Sequence, residues 1–563
     1  MHGYSHSFSP DSSGHSEAHS PEAKALAHLG RCVQNGAGVA LLLLFTTPVG
    51  PQSQFVRVAG GGGYDIGHSL GQTADGGYAM AGFTDSYGGG YDVLLAKFDS
   101  LGYLEWARTA GGTSDEMAHA LLVTADGGYV VTGETQSFGA GSKDVLVLRF
   151  DSAGGFEWAR TLGGLDDDVG HYLARAEDGG YLIAGSTQSD GAGSADVLVA
   201  KFDSLGNWEW AWTVGGSEDD VAYCLVPTAD SGYVIAGETR SFGTEQSDIL
   251  ICKFSGSGIL EWARSVGDGS ADVAYSLVGT QDGGYAVAGE TFGSGETNYD
   301  VLLAKLDSWG NHVWTRRLGG TDVDRALSLV QTEEGRYTLA GTTRSFGATC
   351  QDVLLVQYDS TGSHEWTRFV GGISVDGAYS LIHARDGAYV IAGEAKSFGT
   401  GLYDLFLVKF DSSGNSCLSE PAEPLVDSIS PSVAVITPAV EAFSPEINEP
   451  VLTVSAVTLS MTHICETREF IRADANGDMV HSVADAICII GYIYRAGQCE
   501  CRDCYDANDD GKISNADAVY VVSYVYRSGP PPADPFPSCG VDLTADGLGC
   551  FSHRCMLLRT SLR

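Results

Sequence analysis

Positive charge is scarce in this 563-residue chain: 32 Lys and Arg stand against 72 Asp and Glu, a formal net charge of −40. Such an acidic excess repels nucleic-acid phosphates and anionic membrane surfaces and excludes both as partners. It favours cations, and serves equally as a solubility adaptation to salty surroundings. Long apolar runs are missing too. The stretch Gly38-Val39-Ala40-Leu41-Leu42-Leu43-Leu44-Phe45 is too short to span a bilayer. No His-acid-nucleophile set, unmatched carboxylate pair or phosphate loop stands out, so familiar catalytic chemistry has no visible anchor. Hydrophobic residues are not lacking. At 43%, with 75 glycines, the chain is globular and has room for more than one domain.

What is present is a repeat. Asp92, Asp144, Asp196, Asp248, Asp300, Asp352 and Asp404 open Asp-Val-Leu or a close variant at a constant step of 52 residues. A period near 50, rich in short apolar strands and Gly-containing turns, marks an array whose units cannot bury their hydrophobic faces alone. In the second copy the spacing predicts four strands: Ala118 to Val123, Tyr129 to Thr135, Asp144 to Phe150 and Glu157 to Arg160. The third is apolar almost throughout, which implies burial on both faces, as when blades stack sheet against sheet. A β-propeller meets that demand.

The fourth strand decides how the ring closes. Trp106, Trp158, Trp210, Trp262, Trp314 and Trp366 keep the 52-residue step, but the next position in register is Leu418, in a segment without strand pattern. The missing piece stands at the other end, where Phe55-Val56-Arg57-Val58-Ala59-Gly60-Gly61 matches Trp106-Ala107-Arg108-Thr109-Ala110-Gly111-Gly112. Residues 52–417 are therefore expected to form an all-β seven-bladed propeller whose N-terminal strand closes the last blade and removes a free edge. The motifs Asp-Gly-Gly-Tyr, Ala-Gly-Glu-Thr and Asp-Val-Leu resemble secreted bacterial β-propeller repeats. The likeness implies the fold and no activity.

The flanking segments differ in composition. Residues 1–51 read as a disordered N-terminus with a signal peptide: His2, His6, His15, His19 and His28 sit in a Ser-rich stretch without metal-site spacing, and the apolar run behind Arg31 has signal length. A buried or disordered apolar segment is the alternative. Residues 418–465 carry Pro421, Pro424, Pro431, Pro438, Pro445 and Pro450 among Ser, Val and Glu, with no Gly as far as Thr462. That is the composition of an extended linker, with a few strands of a small extra domain as the alternative.

Beyond it lies the most informative chemical motif. Asp506, Asn508, Asp510, Lys512, Ser514 and Asp517 fall on the twelve-position calcium loop, with Gly511 at position six. Alternate side chains of such a curled loop point inward, Lys512 offers its carbonyl, Gly511 permits the sharp turn, and Asp517 closes the shell. A second set, Asp474, Asn476, Asp478, Ser482 and Asp485, stands 32 residues earlier in the same register, with Met479 in place of the glycine. Helical patterns follow each loop, from Asp485 and from Asp517. The pair resembles a type I dockerin, over 466–535. The resemblance implies a small α-helical domain folded around Ca2+, plugging its carrier into a cohesin-domain protein, often within an extracellular polysaccharide-degrading (cellulosome-like) assembly. Val483 with Ala484 and Asn515 with Ala516 occupy the partner-selecting positions and leave specificity open. A calcium-stabilised terminal module without a cohesin is the alternative.

Cysteines agree with an oxidising, extracellular or cell-surface location. Cys465, Cys488, Cys499, Cys501, Cys504, Cys539, Cys550 and Cys555 crowd the C-terminal part, including the tail at 536–563, where a small domain gains from disulfides. A zinc cluster of Cys499, Cys501 and Cys504 is the alternative. Cys224, Cys252 and Cys350 lie in separate blades and are expected as free thiols.

Two features of the propeller invite a site. Asp65, Glu116, Asp168, Asp220, Asp272, Asp324 and Asp376 recur at the entry to each inner strand, which makes them either a carboxylate ring at one mouth of the channel or caps on turn amides. Trp208 and Trp212 occur in one blade only, either to stack on sugar rings or to be buried between blades. The chain thus reads as an exported, monomeric, non-catalytic binding or scaffold protein, presenting a surface to a glycan or surface-protein ligand. The alternative is a polysaccharide-active hydrolase or lyase, which needs paired carboxylates about 5 to 10 Å apart.

Overall fold

The computed structural model describes residues 54–467, apart from short stretches in loops and in the segment after 422; residues 1–53 and 468–563 lie outside it. Seven antiparallel blades stand round an axis. The first consists of Asp65–Gln72, Tyr78–Thr84, Asp92–Phe98 and Leu104–Gly111, from the axis outward, and the second to sixth blades repeat this order. In the seventh, Asp376–His383, Tyr389–Ala395 and Asp404–Phe410 are joined by Gln54–Gly60 from the other end of the chain, with Val58 opposite Phe406 and Phe55 opposite Lys409. The all-β seven-bladed propeller and its N-terminal closing strand are as the repeat arithmetic requires. No described helix is long and apolar enough to cross a membrane.

The core is seven sheet-to-sheet junctions. Successive residues of one third strand face opposite neighbours: Leu146 and Leu148 pack toward the first blade, Val145 and Val147 toward the third. Both faces are therefore dry, as the unbroken apolar run demands. An aromatic pair marks every junction. Trp106 meets Tyr129, Trp158 meets Tyr181, and so on round to Trp366 with Tyr389, at 5.6 to 6.3 Å between ring centroids. Phe55 with Tyr78, at 6.2 Å, completes the circle across the joint of the two chain ends. An arginine two residues after the tryptophan lies over that ring in five blades, for example Arg108 on Trp106 at 5.2 Å. The Tyr of Asp-Gly-Gly-Tyr and the Trp of the outer strand are thus two halves of one contact.

The glycine of Ala-Gly-Glu-Thr has a local cause. Each inner strand bulges after its third residue, as between Gly67 and Ser69, and the bulge pushes a carbonyl at the neighbouring strand. A Cβ on Gly82 would lie 1.8 Å from the Ile66 carbonyl oxygen, and the equivalent Gly133 meets Met117 in the same way. The sheet closes only because that position is bare. The bulge also turns one residue per inner strand toward the axis.

Over 418–465, where composition suggests an extended linker, the chain runs once round the outside of the ring. Glu420–Pro421, Leu425–Ile429, Ser432–Val435, Ala439–Phe443, Glu446–Asn448, Thr453–Val457 and Ser460–Thr467 pair antiparallel with the outer strands of the sixth, fifth, fourth, third, second, first and seventh blades in that order. Each blade is thereby five-stranded. Outer strands leave a row of N–H and C=O groups unpaired, and a Val-rich extended chain satisfies them. Strands begin at Leu425, Ser432, Ala439 and Glu446, one every seven residues, and in the sequence each follows a proline: Pro424, Pro431, Pro438 and Pro445. Proline has no N–H to lose from a ladder and suits the approach to an edge strand. Cys417, where this belt departs, is disulfide-bonded.

The belt generates a direct expectation. A chain ending at Cys417 exposes seven outer edges, whereas one ending at Thr467 keeps them covered. At even a fraction of the roughly 1 kcal/mol net per hydrogen bond, seven paired strands amount to several kcal/mol. Thermal melting and size-exclusion chromatography of the two truncations will show the shorter one melting earlier and associating; equal behaviour refutes a structural belt.

Candidate functional site

The carboxylates flagged by the repeat are occupied inside their own blades. Asp65 accepts from the Thr84 hydroxyl at 2.5 Å, the Ser86 hydroxyl at 2.8 Å and the Gly61 amide at 2.7 Å. Glu116, Asp168, Asp220, Asp324 and Asp376 repeat that arrangement with a Gly amide and nearby Ser or Thr groups. All seven are buried, Asp272 included, and they anchor the loops that join blade to blade. The second row does the same for the loops between second and third strands: Asp144 accepts from the Ala140 and Gly141 amides, Asp196 from Gly193, Asp248 from Thr244 and Asp404 from Gly401. Turn capping is therefore the role of the first row and of these four acids of the second.

Their environment is not uniform. Burial raises the carboxyls of Asp168, Asp220, Asp324 and Asp376 above the usual range. Asp272 goes further, to about 7, because burial is joined by the carboxylate of Asp268, which stands where the other blades have glycine. Asp92 reaches about 6 through burial and the nearby Glu116.

The axis carries the residues that depart from symmetry. The bulge position of the inner strands is His68, His119, His171, Tyr223, Tyr275, Leu327 and Tyr379 in blade order. Neighbouring rings touch from Tyr379 through His68, His119, His171 and Tyr223 to Tyr275, with centroids 5.1 to 5.7 Å apart. The Nδ1 atoms of His68 and His119 are 3.3 Å apart. Behind this lining stands a layer of acids on the second strands: Tyr223 donates to Glu238 and Tyr275 to Glu290, each at 2.9 Å, and His119 lies 3.8 Å from Glu134, which Lys143 pairs at 2.9 Å. Arg325 pairs with Glu290.

Burial lowers His68 to about 3, with His119 adding to the effect, and lowers His171 to about 3 for the same reasons. Glu134 is pushed up by burial but pulled further down by its bond to His119 and the charge of Lys143, to about 2. The tyrosines are raised by burial and by their glutamates. At neutral pH, His68 and His171 are uncharged. The channel thus offers aromatic faces and imidazole nitrogens over carboxylates that already have partners. Among the described residues no group of three or more His, Cys, Asp and Glu side chains is arranged to hold a metal ion.

Trp212, singled out in sequence, takes the place of the arginine that covers tryptophan in other blades and packs by Gly258; Trp208 is 39% exposed at the start of its outer strand. Cys224 and Cys252 are free and buried, and Cys350 is free; Cys224 and Cys252 do not lie in separate blades, as expected from the sequence, but on the first and third strands of the fourth. The calcium-loop residues, Asp506, Asn508, Asp510, Lys512, Ser514 and Asp517 together with Asp474, Asn476, Asp478, Ser482 and Asp485, lie outside the described residues, as does the signal-like segment. Sequence reasoning passed over the channel lining, although its signal was present as a column of His, Tyr and Leu at the 52-residue step.

Two pH effects follow. The folded Asp272 titrates near 7 against an ordinary value near 3.8, so its contribution is full below pH 3.8 and fades as pH rises through 7. Asp272→Asn is expected to raise the melting temperature relative to wild type at pH 8, by the equivalent of about 1 to 4 kcal/mol, and little at pH 4; the same difference at both values contradicts this. The histidines act oppositely. Their folded values lie below 6.5, so stability is full above pH 6.5 and lost toward pH 3. His68→Tyr with His171→Tyr, copying the fourth, fifth and seventh blades, should flatten the melting curve between pH 6.5 and 4.

No family model matches the chain. It is similar to the regulatory protein FlaEY of Caulobacter vibrioides, 30% identical over 192 residues, or 31% of this chain and 18% of that protein. The chain therefore spans a small part of that relative's length. Among solved structures it is similar to Sqt1 from Chaetomium thermophilum (10% identity, TM-score 0.34, 62% of this chain and 97% of that one) and to the polysaccharide lyase Uly1 (10% identity, TM-score 0.38, 62% and 90%). A puromycin hydrolase is similar at 12% identity and TM-score 0.37, over 64% and 54%. Likenesses at this level carry no argument about activity, and the fold rests on the strand order and the seven junctions.

Proposed function

We propose that the chain is an exported, non-catalytic binding or scaffold protein, whose propeller presents a ligand surface and whose C-terminal module attaches it, through Ca2+, to a cohesin-type partner. The observation that carries the platform reading is the commitment of the first row of repeated carboxylates, and of Asp144, Asp196, Asp248 and Asp404 in the second, to holding loops in place. Such a ring is a rigid frame on which loops and channel lining vary while the frame does not. The attachment reading is supported by the donor spacing of Asp506, Asn508, Asp510, Ser514 and Asp517 round Gly511.

The test uses the full chain immobilised and exposed to extracellular material. With calcium it captures a cohesin-bearing protein, and a chelator releases it. Asp506→Ala with Asp517→Ala abolishes both the capture and the calcium-induced rise in melting temperature, which at a hundredfold excess over Kd corresponds to about 2.7 kcal/mol. Calcium-dependent melting without capture would leave a purely structural module. No calcium response at all would overturn the reading.

A further inference from the structure

Charge at one mouth of the ring is unevenly divided. On the face that carries the blade-to-blade loops, the residue ahead of the inner strand is Asp115, Asp167 and Asp219 in the second to fourth blades, but Ala271, Val323 and Val375 in the fifth to seventh. The residue whose amide donates to it, just past the second strand, is Arg344 in the sixth blade and Lys396 in the seventh. Both side chains are exposed. Each of the other six described lysines pairs with a carboxylate, whereas Lys396 has no such partner among the described residues. Its ammonium lies over the Tyr403 ring instead, 5.1 Å from the centroid. Arg344 also stands outside the ion pairs of the described residues, the adjacent Asp322 accepting from the Val323 amide at 2.8 Å.

Apolar groups adjoin these cations. Ile373, in the loop from the sixth to the seventh blade, is 84% exposed, the highest value among the large apolar side chains described. The amide of the next residue, Ser374, donates to the hydroxyl of Ser397, which follows Lys396. Leu402, beside Tyr403, is 47% exposed, and its amide donates to the Gly63 carbonyl of the loop entering the first blade. Tyr403 stacks on Tyr64 at 5.4 Å and 16°, and both remain half-buried. Single exposed apolar residues are ordinary, but these stand beside unmatched cations and tyrosines, the composition of a recognition surface.

We propose that this face of the sixth, seventh and first blades docks a peptide segment of a partner protein in which acidic side chains alternate with apolar ones. Charge complementarity selects the acid. In a chain of net charge −40, two cations without carboxylates draw an anionic group to one sector of the mouth, while Asp115, Asp167 and Asp219 repel it from the facing sector. The guanidinium of Arg344 offers a planar fork that fits a carboxylate. The apolar side chains select a peptide over an acidic glycan, because Ile373 and Leu402 gain from aliphatic or aromatic cover and little from hydroxyl groups. Nor is the Tyr403 ring open to a sugar, since Tyr64 takes one part of its surroundings and Lys396 another.

The inference rests on the platform reading, whose ligand it names, and is independent of the calcium module. The full chain is presented with an array of hexapeptides alternating Asp or Glu with Leu, Val or Tyr, with the same array carrying Asn and Gln for the acids, and with hexagalacturonate as an acidic glycan. Acidic peptides should bind about tenfold or more tightly than their amide counterparts, and more weakly as salt rises. Arg344→Gln with Lys396→Gln should weaken that binding about tenfold or more, and Ile373→Ser severalfold. Arg175→Gln, which removes an exposed cation at the far end of an inner strand, should leave it unchanged. All of these side chains are exposed, so the variants should melt as the wild type does. Binding of hexagalacturonate without the peptides overturns the peptide assignment and retains the platform reading. Absence of binding by either probe, or peptide binding that survives the double substitution, overturns this surface, while calcium-dependent capture on the same immobilised chain reports separately on attachment.

Discussion

Everything in this molecule depends on sheets packing face to face with an aromatic pair at the seam. A single four-stranded blade has two apolar faces and cannot stay dry alone. Stacking solves this only if every blade has two neighbours, so the array must close. The Trp–Tyr contact, with arginine laid over it in five blades, sets how one blade meets the next, and Phe55 against Tyr78 shows the same contact at the joint where the two ends of the ring come together.

Closure of that kind leaves one weakness, the seven outer edges. The fourth strand of a blade is as open to foreign pairing as any edge. Here the remedy is a belt from the same chain, travelling against the direction of the blades and giving each a fifth strand. It binds main chain to main chain, which explains why so little of its composition resembles the repeat. A backbone ladder asks only for extended geometry and free N–H groups, and tolerates Pro at the approaches.

The functional consequence is a division of labour. Residues that repeat round the ring are structural: the acids cap loops, Lys97 and its counterparts pair in six blades with the Asp of Asp-Gly-Gly-Tyr or its equivalent, and the glycines make room for a bulge. The repeat is broken in the His and Tyr lining of the axis and at the junction of the third and fourth blades, where Ser231 takes a glycine's place. Position in the ring, more than residue type, separates the two classes.

The blade count, the antiparallel order and the N-terminal closing strand were legible in the sequence, because a 52-residue step and a displaced Phe55-Val56-Arg57 motif leave one arrangement that buries all apolar strands. The calcium-loop residues lie outside the described ones, and that reading rests on the sequence alone, where coordination chemistry is local to twelve positions. The belt was not read, although prolines at seven-residue intervals foreshadowed it: its partners lie as far off as Gln54 from Thr467, and pairing through main-chain groups leaves little side-chain signature. Nor could sequence decide between a ring of carboxylates and seven turn caps, which differ only in where the side chains turn. That choice and the contact of His68 with His119 across neighbouring blades arise from curvature and bulge geometry, and only the closed ring brings them about.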